Sequence, residues 1–412
     1  MIGEIKMFEM QLAPKPDHVP DDLVVHWDFT SPPGGEEDVN TAWKQLHDGP
    51  DIIWTPHNGG HWIVTRAADI EHMQKHHDPF SMQRIVLPEH PDRPRLLPIE
   101  MDPPEHARYR SILNQFFTPR AIKALQEEAR LLAIALIDGF KADGRCEFIS
   151  DFSMKLPITI FMKMVDQPLD HLDRLLEWTE MSVRPKKPED RTAAALAMNA
   201  YLEDVIEARK VKPGEDLLSA VVVAQVGGNA IPKEDLLSIT SNLMFGGLDT
   251  VASSLGFAAR FLAENPAKRR ELVDRPELIA NAVDELLRMF APSSTARVVT
   301  RDIEYGGVTF RAGDRIYIRP LLHGMDERKF PDPMEADWER PALERSYAAF
   351  GNGPHRCPGA TLARSEMRIF LEEWLARIPD FALDPADRPT FGAGMVNAVL
   401  RLPLVWEPAR QH

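Results

Sequence analysis

Two short segments of this chain carry residue types that do chemistry. The first, Phe350-Gly351-Asn352-Gly353-Pro354-His355-Arg356-Cys357-Pro358-Gly359, holds one of only two cysteines in 412 residues, in a turn rich in Gly and Pro. A helical pattern from Ala360 to Ile378 follows directly. Cys357 thus precedes a helix N-terminus, where free N–H groups and the helix dipole favour a thiolate. The glycines and prolines let the backbone turn tightly and approach a flat ligand. A lone thiolate so presented suits a metal; the plainer alternative is a buried cysteine in a loop. The second segment is Met244-Phe245-Gly246-Gly247-Leu248-Asp249-Thr250. Adjacent glycines inside a helix cost about 1 kcal/mol each relative to Ala, so a packing neighbour or a ligand must occupy the notch. Asp249 and Thr250 place an acid beside an alcohol, a pair that can move protons.

The elements that must position these segments are mostly helical. Ile231-Pro232-Lys233-Glu234 reads as a helix start, and the pattern runs from Lys233 to Glu264 before stopping at Asn265-Pro266. Such a helix is about 50 Å long and crosses a domain. Further helical patterns cover Ala121 to Phe140, Leu169 to Met181, Thr192 to Lys210 and Pro276 to Phe290. Glu285 and Arg288, three apart on the last of these, share a face, as an ordinary surface ion pair also would. Asp51–Thr55 and His61–Thr65 flank Asn58-Gly59-Gly60 and predict a hairpin. Short strands are expected around Asp302 to Phe310, Arg315 to Ile318 and Met395 to Val405. The fold class is mainly α with a small β portion.

Composition narrows the function classes. A hydrophobic share of 44% with 27% charged residues describes a soluble globular protein with ample core. Net charge is −15 without a long basic run, which argues against nucleic-acid binding. Residues Met1 to Phe29 hold no apolar run of membrane-crossing length and no signal-peptide pattern, so a cytoplasmic protein without membrane attachment is expected. Two cysteines give no disulfide framework, and Cys146 carries no motif. No second Cys or spaced His set accompanies Cys357, which disfavours a zinc site.

The pattern F-x-x-G-x-H-x-C-x-G, from Phe350 to Gly359, resembles the haem-thiolate loop of the cytochromes P450. The resemblance extends over essentially the whole chain. It implies a single domain over residues 1–412, a triangular helical prism with a long central distal helix, and haem b with Cys357 as the axial iron ligand. Phe350 and Gly246 then lie against the cofactor, Gly246 making room for dioxygen. Asp249 and Thr250 become the proton-delivering pair, with Arg184 as the ion-pair partner of Asp249. Glu285 and Arg288 match the family's buried E-x-x-R, tied to a later arginine for which Arg340 is the candidate. Arg110, Arg297 and His355, with His106 a weaker match, are the expected partners of the haem propionates.

Stretches such as Asn58–Ile63, Met101–Glu105, Gly246–Val251 and Leu402–Trp406 match the camphor-hydroxylating branch. That branch holds its substrate with a tyrosine; here Pro94 lies at about that position. Leu96 replaces an aromatic residue, Ile99 and Val183 replace threonines, and Asn242 stands where the branch has leucine. Asn242 then either contacts substrate or is satisfied by neighbouring backbone. Phe245, Ser293, Met395 and Val396 complete the expected pocket. An apolar pocket with one or two polar contacts suits a terpenoid-sized substrate such as cineole, a camphor-like ketone or ionone. The resemblance implies hydroxylation of an unactivated C–H by a monomer, with O₂ and electrons from a [2Fe–2S] ferredoxin and its NADH-dependent reductase. Arg110, Arg356 and Arg364 are the expected basic docking patch. Two alternatives are a haem-thiolate sensor without turnover, disfavoured by the Asp249-Thr250 pair, and a peroxide-driven peroxygenase.

Overall fold

A computed structural model describes residues 12–89, 93–187, 189–341, 343 and 346–408. The apolar runs Ile52–Thr55 and His61–Val64 form the expected antiparallel hairpin, with Trp54 opposite Trp62. Its turn passes through Asn58, Gly59 and Gly60, all at positive φ. Arg315–Ile318 adds parallel to His61–Val64, Thr295–Val299 adds antiparallel to that, and Phe80–Ser81 closes the five-stranded sheet. Ile303–Tyr305 and Val308–Phe310 make a separate hairpin.

The helices, in chain order, are α1 (Thr41–Lys44), α2 (Ala67–Lys75), α3 (Glu105–Asn114), α4 (Pro119–Phe140), α5 (Lys155–Met164), α6 (Leu172–Val183) and α7 (Asp190–Val211). They continue with α8 (Leu217–Val223), α9 (Lys233–Leu248), α10 (Thr250–Glu264), α11 (Pro266–Asp274), α12 (Ile279–Met289), α13 (Pro320–Gly324) and α14 (Ala360–Arg377). Their apolar stripes meet in three cores. One packs the sheet with Trp43 of α1, Ile70 and Met73 of α2, and Leu321 and Leu322 of α13. A second joins α4, α10, α12 and α14, and a third joins α7, α8 and α9; α5 contributes to both. Helix α4 shows how sequence sets an element. Thr118 accepts from the Ala121 N–H at 3.3 Å, Pro119 starts the first turn, and Ile122, Ala129, Ala133 and Ile137 are buried on one stripe.

The long helix expected from Lys233 to Glu264 is divided. Asp249 leaves helical geometry (φ −126°, ψ −35°), separating α9 from α10. The Thr250 hydroxyl donates to the Gly246 carbonyl at 3.1 Å, an acceptor that the backbone N–H of residue 250 takes in an unbroken helix. Helix α10 restarts with the Ser253 N–H donating to the Asp249 carbonyl at 2.9 Å.

The E-x-x-R pair is not a surface bridge. Both side chains are fully buried, with Arg288 Nε and Nη2 each donating to Glu285 at 2.8 Å. Arg340 Nε donates to both Glu285 oxygens at 3.1 and 3.2 Å, and the Asp337 N–H adds a bond at 3.1 Å. Arg288 also reaches the Gly324 carbonyl of α13. One carboxylate thus joins α12 to the 337–340 segment. Removing it strands Arg288 and Arg340 as buried, uncompensated charges. Glu285→Ala is expected to lose about 3–5 kcal/mol of stability and most haem incorporation, read by denaturant unfolding and by the haem absorbance of purified protein. Normal haem content at wild-type stability removes that role.

Candidate active site

The cysteine loop is held at several points. The Cys357 N–H donates to the Phe350 carbonyl and the Gly351 N–H to Ala348, both at 2.8 Å. Gly353 has φ +71°, and a Cβ there lies 2.9 Å from the Gln74 carbonyl of α2, so only glycine fits. The Asn352 amide donates to Gln74 Oε1 at 2.8 Å. Arg364, expected in a docking patch, lines the depression beside Cys357 and also bonds inward. It donates to Asp284 at 2.6 Å and to the Tyr347 hydroxyl at 2.9 Å, and its guanidinium stacks 5.0 Å from the Phe350 ring centroid.

Cys357 is open to solvent yet surrounded by protein, as on the wall of a deep cleft. Burial pushes its thiol above the ordinary value, against the backbone N–H groups of Gly359 and Ala360 and the charges of Arg110 and Arg356. The helix start expected to favour a thiolate is therefore outweighed by desolvation in the protein alone. A bound cation reverses that balance, because a coordinating thiol is deprotonated outright.

Beside this loop sits a group of cationic and imidazole side chains that pair with no carboxylate among the described residues. Arg297 is 3% exposed and donates only to its neighbours, Thr295 Oγ1 and the Ala296 carbonyl, both at 3.0 Å. Burial lowers its pKa to about 10, with Asp102 opposing. The His106 and His355 rings lie 4.1 Å apart. His106 Nε2 and both ring nitrogens of His355 are buried without a hydrogen-bond partner. Burial first, then repulsion from His106, Arg297 and Arg110, holds His355 neutral. Arg110 donates to Asn114 at 3.0 Å and to the Arg356 carbonyl. Four such groups lacking a counter-charge suit an anionic ligand.

The α9–α10 break presents the second half of the site. The two glycines have different reasons. A Cβ on Gly246 meets nothing within 4 Å, whereas one on Gly247 lies 2.4–2.6 Å from the Phe161 ring. Gly247 is a packing notch for α5; Gly246 opens on free space. Arg184 makes a bidentate pair with Asp249 at 2.8 and 2.9 Å, and also holds Glu180 and the Val396 carbonyl. Burial lowers the Arg184 pKa, and the Asp249 and Glu180 carboxylates more than offset it, leaving it raised. Helix α10, which begins at Thr250, packs on α14, which begins three residues after Cys357.

Comparison with known proteins matches this frame. The cytochrome P450 family model covers residues 150–389. A probable cytochrome P450 127A1 of Sinorhizobium fredii is 33% identical over 98% of this chain and all of its own length. The chain is a cytochrome P450. This P450 also overlays the crystal structures of CYP101J2 and CYP101C1 with TM-scores of 0.86 and 0.87. Each is 36% identical, over 96% of this chain and all of the other. The mycinamicin IV hydroxylase/epoxidase of Micromonospora griseorubida is 30% identical over 85% of this chain and 91% of its own. The protein is accordingly a haem-thiolate monooxygenase whose cofactor is haem b. Its residues fit that group: orphaned ring nitrogens and unpaired arginines beside Cys357 match two propionates, and the space at Gly246 needs no side chain.

The residues expected around substrate divide. Leu96 and Phe245 line a small internal cavity together with Arg191, Ser182 and Ser241. Asn242, one turn before Gly246 on α9, makes no side-chain hydrogen bond among the described residues, which removes the backbone-satisfied alternative. Val183 accepts the Met395 N–H at 3.3 Å, and Ser293 bridges Val396, so this wall is a closed backbone seam. Sequence reasoning missed Arg191. Its signal was present: on α7 it continues the buried stripe of Ala194, Ala195, Met198 and Leu202 at helical spacing.

The two glycines are separable by mutation. Gly247→Ala is expected to cost about 1–3 kcal/mol through overpacking against Phe161. Gly246→Ala is expected to leave stability unchanged within about 0.5 kcal/mol while weakening ligand binding at the haem. Chemical denaturation and ligand titration of both variants check this; equal stability losses contradict the assignment.

Proposed function

We propose that this P450 hydroxylates an unactivated C–H of a terpenoid-sized hydrophobic substrate, as a single cytoplasmic domain fed by a [2Fe–2S] ferredoxin and an NADH-dependent reductase. The observation that carries the site assignment is the anion-free cluster of Arg110, Arg297, His106 and His355 beside Cys357. In this reading Cys357 is the iron ligand, Phe350 and Gly246 flank the cofactor, and the four cationic and imidazole groups hold its propionates. Bound haem supplies oxygen activation and transfer of one oxygen atom to the substrate.

The chain's residues do the rest. Thr250, at the first turn of α10, turns its hydroxyl between the Gly246 carbonyl and a ligand in the adjoining space. Asp249 passes protons inward once its carboxylate leaves Arg184, so the Arg184 pair sets when delivery starts. Leu96, Phe245, Met395, Val396 and Val183 exclude water around the substrate, and Asn242 and Ser293 provide polar contacts. Asp249 and Thr250 together favour oxygen-dependent turnover over a binding-only role. The apolar side chains of Leu96 and Phe245 beside α9 support a hydrophobic substrate, and Pro94 in place of the tyrosine argues against a camphor-specific one.

On the Cys357 side, Arg110 and Arg356 border a surface depression of about 350 Å³ that reaches Cys357. Arg110 and Arg356, with Arg364 on the same depression, form the expected docking charge for an acidic ferredoxin.

Three outcomes are expected. The ferrous–CO complex shows the red-shifted Soret band of thiolate ligation, and Cys357→His loses it; absence of the band in wild type sinks the reading. Thr250→Ala keeps NADH oxidation but diverts most electrons to hydrogen peroxide, measured as product formed per NADH; unchanged coupling removes Thr250 from proton delivery. Arg356→Glu slows reduction by a ferredoxin roughly tenfold at low salt, with the gap closing at high salt; a salt-independent rate contradicts charge-guided docking.

A further inference from the structure

Arg191 is a buried cation with no assigned task. It is 6% exposed, at the start of α7, and lines the cavity shared by Leu96 and Phe245. Its Nε donates to the Ser182 carbonyl at 3.0 Å, and Nη1 donates to the Leu87 carbonyl. Nη2 is buried with no hydrogen-bond partner. Burial, with repulsion from Arg93, lowers Arg191 to about 10, so it stays charged near neutral pH.

No carboxylate among the described residues answers that charge. Glu100, the buried acid of this region, is already occupied: it accepts from Arg93, from the Ile85 N–H at 2.9 Å and from the Leu96 N–H at 2.7 Å. Arg93 is thereby neutralised and Arg191 is not. Across the cavity, the Ser241 hydroxyl donates to Asn199 Oδ1 at 2.5 Å, which leaves the Asn199 amide N–H groups without an acceptor among the described residues. The cavity, about 20 Å³, holds one water or one ligand oxygen. A buried guanidinium with an orphan N–H₂ is costly unless an acceptor completes it, and an anionic acceptor offsets its charge as well.

We infer that Arg191 recognises a carboxylate on the substrate, so that the substrate is an apolar, terpenoid-sized skeleton carrying an acid group. The inference rests on the haem-thiolate monooxygenase reading and refines its substrate class. Leu96 and Phe245 contact the hydrocarbon next to the acid; Arg191 anchors the acid end and fixes which carbons remain free to reach the haem. A charge-assisted contact of this kind is worth about ten- to hundredfold in affinity.

The test uses the haem-loaded full chain and a matched C10 pair, perillic acid and perillyl alcohol, titrated by the spin-state change of the haem. Wild type is expected to bind the acid at least about tenfold more tightly than the alcohol. Arg191→Gln is expected to lose that preference, weakening the acid by at least about tenfold and the alcohol by less than about twofold. An acid bound no more tightly than the alcohol in wild type, including neither being bound, overturns the inference without any variant. So does an Arg191→Gln that weakens both alike, since Arg191 is then only a tie between Leu87 and Ser182. The ferrous–CO band, recorded first, separates the readings: its absence removes the monooxygenase, whereas its presence without acid preference removes only the role of Arg191.

Discussion

A carboxylate with no access to water must be surrounded by donors, and Glu285 is the point on which this architecture turns. Four N–H groups, from Arg288, Arg340 and the Asp337 backbone, meet it in the interior. Replacing the whole ionic network, arginines included, by apolar side chains of the same volume would satisfy the core equally well. The polar network contributes direction instead, because each donor must arrive at a set angle. It fixes α12 against the 337–340 segment, and the chain leaving that segment arrives at the cysteine loop. The neighbouring Asp284 completes the alignment by holding Tyr347 and Arg364, the latter stacked on Phe350.

The site itself is built from shortages. Arg297 is buried without a paired carboxylate, and ring nitrogens of His106 and His355 are buried without a hydrogen-bond partner among the described residues. The α9–α10 helix forgoes one backbone bond at Asp249, and the Thr250 hydroxyl stands in for it. Burial holds the Cys357 thiol above its ordinary range. An iron-containing dianionic ring at this site would answer the unpaired Arg297, the orphaned ring nitrogens and the Cys357 thiol. Binding free energy of the cofactor is thereby partly folding free energy.

Much of the framework was legible because its determinants are local. The Asn58-Gly59-Gly60 hairpin, the Pro232 and Pro266 limits of the long helix, and the strand Arg315–Ile318 follow from turn chemistry and side-chain period. Helices α1, α2, α3, α5, α8, α11 and α13 are not announced by the sequence pattern. They are short, and α11 and α3 have mostly polar surfaces, so their stability comes from tertiary packing rather than pattern. The break at Asp249 was hidden for a related reason: it depends on a side chain competing for one carbonyl. The inward bond of Arg364 was hidden because nothing in its own segment announces Asp284, eighty residues earlier. The residues around Cys357 and the Asp249-Thr250 pair were legible only through their motifs; their spacing in the chain says nothing of the cations between them.

Asp284 and Glu285 are consecutive on one helix, and their side chains leave α12 in different directions. One grips the chain at Asp337 and Arg340, the other at Tyr347 and Arg364. The interval between Arg340 and Tyr347 is therefore tethered at both ends to a single rigid body. One helix thus holds the chain on both sides of Leu343, itself 1% exposed, so a displacement of α12 would shift both anchors of the path to Cys357 together.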